Sequence, residues 1–158
     1  MNSFDVSSYL KDGEGRHIKI EQWAGRLRDE NYVEGWIELS VDGQLLLDAT
    51  HWDLVDQLWA YLIDGMLESL DSGRAFECFF PDQPLKLRIQ PMSWNELVFT
   101  VGEHSSRTSK SSFIKAIATG GRDFFRRMST LAPSGVVTWD SYVGKCEGLL
   151  QRSETAGQ

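Results

Sequence analysis

The stretch Thr50 to Gly73, THWDLVDQLWAYLIDGMLESLDSG, constrains the fold more than any other. Its apolar residues fall at Val55, Leu58, Trp59, Leu62, Ile63, Met66, Leu67 and Leu70, the spacing of one helical face and incompatible with strand alternation. The pattern predicts one long amphipathic helix. Thr50 and Asp53 stand where a reciprocal N-terminal cap would close, and Ala49 and Leu54 where a hydrophobic staple would sit. Gly73 supplies a left-handed stop.

The polar side of this helix is wholly acidic. Asp53, Asp56, Asp64, Glu68 and Asp71 stand without a Lys or Arg between Thr50 and Gly73. Asp64 with Glu68, and Glu68 with Asp71, are like charges at helical contact spacing, each pair costing a few tenths of a kcal/mol in an isolated helix. Such a row is either a solvated face or a contact surface for something cationic. A second block, Arg107 to Arg127, carries six cations against Asp123 alone. The two blocks could neighbour each other within the chain, meet across a homodimer, or serve separate partners.

Strand signals flank the helix. Ile18 and Ile20 alternate with charged residues, and Val33 to Val41 alternates cleanly. Asp42-Gly43 is a two-residue hairpin signal, with Gln44 to Asp48 as the return strand. After the helix, Arg74 to Phe80, Leu85 to Gln90 and Leu97 to Val101 read as strands, with a short edge strand to follow before Ser109. Ser111 to Leu131 returns to helical spacing, interrupted at Gly120-Gly121, where a kink or a close helix–sheet contact is expected. Pro133 should end it, and Thr138 should cap a last helix carrying Trp139, Val143, Cys146 and Leu150. The expected fold is α+β: a mostly antiparallel sheet, one long central amphipathic helix between two strand blocks, and two C-terminal helices. Residues 1–152 should form a single domain with a loose leader over 1–15, and 153–158 a disordered tail.

Composition narrows the function classes. A net charge of -7 argues against nucleic acid or an anionic membrane as partner. No apolar run reaches membrane-spanning length, and the first fifteen residues lack the pattern of a secretory signal. Cys78 and Cys146 stand far apart, as buried thiols of a reducing cytoplasm would. His17, His51 and His104 have no metal-ligand spacing, so neither a metal nor another cofactor is expected. No nucleophile motif selects a serine, and Thr119-Gly120-Gly121-Arg122 lacks the phosphate-loop pattern. No catalytic residue can be named. Trp36, Phe79 and Trp94 lie off the core phase of their strands or in a turn, and would form an exposed aromatic patch if they clustered.

The hairpin GWIELSVDGQLLLDA running into the acidic helix, followed by FECFFPDQPLKLRIQP with its aromatic–proline step, resembles the small bacterial immunity proteins that accompany polymorphic or contact-delivered toxins. The resemblance covers Val33 to Val101 and lies in the order of elements. It implies a cytoplasmic, acidic, non-enzymatic protein that binds a cognate toxin and occludes its active site; the acidic row adds the expectation that the partner carries a basic surface. On the residues themselves, the expected contact set is Asp53, Asp56, Asp64, Glu68 and Asp71, with Trp36, Phe79 and Trp94 as aromatic anchors. Two alternatives stand beside it: a small-ligand binder or enzyme using His51 or His104 in a sheet–helix pocket, and a homo-oligomeric accessory protein.

Overall fold

A computed structural model describes residues 3–132 and 139–156. The chain folds as α+β, with two antiparallel sheets and three helices among the described residues. The first sheet is built from β1 (Phe4–Lys11), β2 (His17–Lys19), β3 (Glu34–Val41) and β4 (Gln44–Leu47) in the order β2-β1-β3-β4, with β5 (Asp53–Leu54) also paired to β3. Helix α1 (Val55–Ser72) follows. The second sheet is a plain meander of β6 (Phe76–Phe79), β7 (Lys86–Pro91), β8 (Glu96–Val101) and β9 (His104–Ser109). Helices α2 (Lys110–Leu131) and α3 (Asp140–Ala156) complete the chain.

Most of the leader predicted to be loose forms β1, an inner strand of the first sheet. Phe4 to Leu10 pairs with Val41 to Gly35 on one side, and Tyr9 to Lys11 with Lys19 to His17 on the other. The alternation Phe4, Val6, Leu10 is broken at the inward position Ser8, which hides the strand from a reading of apolar period. Ser8 is buried because its hydroxyl accepts the indole N–H of Trp59 at 2.9 Å. At the other end, α3 runs on through Ser153, which is buried, to Ala156, so the tail predicted to be disordered from Ser153 is largely helical. The expected roles of Pro133 and Thr138 fall outside the described residues.

Helices α1 and α2 lie against the inner faces of both sheets. From α1, Val55, Leu58, Trp59, Leu62, Ile63 and Met66 are buried, and each such side chain contributes roughly 1.5–3 kcal/mol relative to exposure. Helix α2 is continuous through Gly120 and Gly121. The two glycines are there for contact: a Cβ on Gly120 would fall 2.3 Å from Val6, and one on Gly121 2.8 Å from Ile63. Helix α3 packs on α2 and α1 from the side away from the sheets, burying Cys146 and Leu149. The sheets approach each other at their edges, where Thr108 Oγ1 of β9 donates to Asp42 Oδ2 at 3.4 Å.

The α1 N-terminus differs from its expected form. Asp48, not Thr50, is the capping residue, and it caps a 3₁₀ turn, Ala49–His51, by accepting from Thr50 N–H at 2.9 Å. The chain then extends through Asp53 and Leu54 before α1 begins at Val55, with no side-chain cap. Gly73 stops the helix in the left-handed region at φ 72°.

Candidate functional site

Two carboxylates of the acidic row are paired from within the chain. The Asp64 carboxylate accepts from Lys145 Nζ and from Tyr142 Oη, both at 2.8 Å, and Asp71 accepts from Arg152 Nη1 at 2.7 Å. These cations belong to α3, one helix beyond the basic block that suggested a pairing. Burial, reinforced by the Asp64 carboxylate, pushes the Tyr142 phenol up to about 12, so it remains a donor across the ordinary pH range. The cations of α2 go elsewhere. Arg126 meets Glu147 at 3.1 Å, and Arg127 donates to the carbonyls of Ile20 and Trp23 at 3.2 and 3.0 Å.

The remaining carboxylates of the row do not form one surface either. Asp53 is 1% exposed. Its Oδ1 accepts Leu54 N–H at 2.7 Å, and its Oδ2 accepts the N–H groups of Asp82 and Gln83 at 3.1 and 3.0 Å, so it ties the start of α1 to the β6–β7 loop. Asp56 is half-buried, and desolvation raises its pKa while one of its oxygens stays without a partner among the described residues. Glu68 is exposed, as is the Asp71 that pairs with Arg152.

The three expected aromatic anchors stand apart. Trp36 is on the outer face of the first sheet, stacked on Tyr9 of the neighbouring strand with ring centroids 4.1 Å apart. Phe79 lies on the second sheet beside Lys86, where β7 begins, and Trp94 in the turn after β7 ends. Trp94 is 93% exposed and, with Asn95, held at positive φ (62° and 58°). Asn95 fixes this turn to α2: its Oδ1 accepts Ser111 N–H at 3.1 Å and its backbone carbonyl accepts Lys110 N–H at 2.9 Å.

Two aromatic side chains that the sequence did not single out border adjoining recesses. Tyr32 and Trp52, each about half exposed, stand on two adjoining recesses of about 580 and 300 Å3 at one end of the first sheet. The recesses share Lys11, Gly15 and Glu34. Lys11 Nζ and Glu34 Oε2 form an ion pair at 3.3 Å between them. His17 lines the smaller recess, its ring edge toward Trp36 at 6.4 Å. The Gln83 side-chain amide donates to the Trp52 carbonyl, holding that backbone in place. Tyr32 and Trp52 sit in connections between strands, so neither helical nor strand period marked them.

A third recess, about 280 Å3, lies between the edges of β4 and β9 and brings His51 and His104 together with Asp48. Its chemistry is that of a donor. His51 Nδ1 accepts the Asp48 N–H at 3.1 Å, which places the ring proton on Nε2. Burial lowers the His51 pKa, opposed by Asp48, whose carboxylate is 3.4 Å from Nδ1, and aided by His104. A neutral imidazole with its lone pair already committed cannot act as a general base.

Among the described residues no group of His, Cys, Asp and Glu could hold a metal ion, and no helix is long and apolar enough to cross a membrane. No family model matches the chain, and neither a curated protein nor a solved structure is significantly similar to it.

Proposed function

We propose that this protein is a non-enzymatic binding module of the immunity type, and that it engages a protein partner, such as a toxin, at the double recess of the first sheet. The observation that carries this reading is that the half-exposed Tyr32 and Trp52 each border one of two adjoining recesses, which share Lys11, Gly15 and Glu34. Tryptophan, tyrosine and arginine dominate binding energy when they sit in or beside pockets, and isolated exposed aromatics do not form such a cluster. The resemblance supplies the class of function, and the recess supplies a surface for it. Acidic α1 drops out of the contact set because two of its carboxylates already hold α3. A cytoplasmic location accords with the two free thiols, both pushed upward in pKa by burial and so poorly reactive.

The test is a binding measurement against the product of the neighbouring reading frame. Trp52→Ala should weaken the complex by about 2 kcal/mol, close to thirtyfold, as hot-spot truncations do. Glu68→Lys, on α1, should leave affinity unchanged. Equal affinity of Trp52→Ala and the parent, or loss of affinity in Glu68→Lys alone, would move the interface away from the recess.

A further inference from the structure

The larger recess holds a second feature that rim contacts leave unused. Its floor is apolar, formed by the buried Leu10, Trp23 and Val33 with the half-buried Leu27. Its charged groups are mostly satisfied. Lys11 pairs with Glu34, and Asp12 with Arg16 at 2.8 Å. Arg28 is the exception: among the described residues no carboxylate lies within ion-pair range of it. Its guanidinium rests over the β1–β2 turn so closely that a Cβ on Gly13 would fall 2.6 Å from Nη1. The connection bearing Arg28 is anchored to α2. Leu27 N–H donates to the Leu131 carbonyl at 3.3 Å, and Arg127 holds the carbonyls of Ile20 and Trp23.

We infer that this recess is a binding site for an organic monocarboxylate with an apolar or aromatic body. The uncommitted guanidinium takes the carboxylate in its two-pronged geometry, and the floor of Leu10, Trp23 and Val33 takes the body. Its volume, about 580 Å3, lies within the roughly 300–1,000 Å3 typical of small-ligand pockets. Asp12, Asp29 and Glu34 in the same lining outnumber Lys11 and Arg28, so they repel a dianion such as a phosphate monoester about twice as strongly as a monocarboxylate. The carboxylate can come from a free acid or from the chain end of a protein, and this inference stands whether or not a partner docks on the rim.

Calorimetric titration of the full chain with 3-phenylpropionate tests it, with 3-phenylpropionamide and phenyl phosphate as controls. The acid should bind, and the amide and the phosphate at least about tenfold more weakly, the loss expected for one charge-assisted contact. Arg28→Gln should weaken the acid by the same factor with an unchanged melting temperature, since the Arg28 side chain is exposed and makes no ion pair. A hexapeptide ending in Phe, with free and amidated C-termini, separates the sources. Binding of the free-ended peptide without the small acid assigns the site to chain ends, and binding of the small acid assigns it to free ligands. If neither acid binds at millimolar concentration, if the amides bind as well as the acids, or if Arg28→Gln binds as the parent does, the inference is overturned.

Discussion

Asp53 holds three backbone N–H groups, those of Leu54, Asp82 and Gln83, from a position that is almost fully buried. Asp53→Ala should cost about 2–4 kcal/mol in urea denaturation, because each unmet N–H carries a penalty of about 1–3 kcal/mol that new water contacts only partly offset. Asp56, three residues on, works in the opposite direction. Burial raises its pKa above the ordinary aspartate range, and one of its oxygens has no partner among the described residues. The folded state therefore holds the proton more tightly than the unfolded chain, and stability is lost as pH rises through that window. Asp56→Asn should raise stability at pH 7 by about 1 kcal/mol and make little difference at pH 3, measured as the gap between the two proteins' denaturation curves. Both roles were invisible in the sequence, where the two residues read as neighbours on one acidic face. Helical spacing assigns residues to a face only where the helix exists, and Asp53 lies in β5, before α1 begins. The capping chemistry was legible, but its register was not: Asp48 and Thr50 close a 3₁₀ turn, a tighter element that needs only one shared hydrogen bond to start.

The helices show a similar division. Helix α1 was legible because its apolar residues keep a strict period over five turns, and the strands β3, β7 and β8 because they alternate. The charge on α1 was legible as well; its partner was not, since α2 and α3 both offer cations and only the three-dimensional packing chooses between them. The choice follows from what α2 needs elsewhere: Arg127 is spent on the carbonyls of Ile20 and Trp23, at the start and just past the end of the 3₁₀ turn Ile20–Gln22 that follows β2, and Arg126 on Glu147 of α3. The α1–α3 seam has a dry element and a wet one. Tyr142, stacked on Phe125 at 5.0 Å, reaches Asp64 from a half-buried ring, while Lys145 reaches the same carboxylate from the solvent side. Tyr142→Phe should destabilise the chain by about 1 kcal/mol, whereas Lys145→Met should change stability by less than about 0.5 kcal/mol, because exposed ion pairs contribute little. Denaturation of the two variants at two salt concentrations checks the pair; salt should affect the parent and Tyr142→Phe alike.

Taken whole, the molecule is joined where β1, α1 and α2 touch. Gly120 of α2 faces Val6 and the Trp59 ring, and a Cβ there would stand 2.3 and 2.7 Å from them. Alanine in place of a helical glycine gains about 1 kcal/mol of helix propensity, but forcing a methyl into a filled contact loses about 1–3 kcal/mol. Gly120→Ala should therefore destabilise, and Gly148→Ala in α3, where nothing among the described residues lies within 4 Å, should stabilise by up to about 1 kcal/mol. Opposite signs in thermal denaturation check both. The two halves of the chain, each a set of strands followed by a helix, look alike in sequence order but differ in wiring: the first sheet runs β2-β1-β3-β4, and the second is a meander. That difference escaped the sequence because it depends on where β1 inserts, and β1 was concealed by Ser8. It also sets the order of assembly during synthesis. Phe4 to Lys11 leaves the ribosome before Trp59 and Gly120, the residues that cover part of its inner face. The nascent segment must wait, unsheltered, for the middle of the chain, so folding should be slow for a protein of this size and sensitive to chaperone supply.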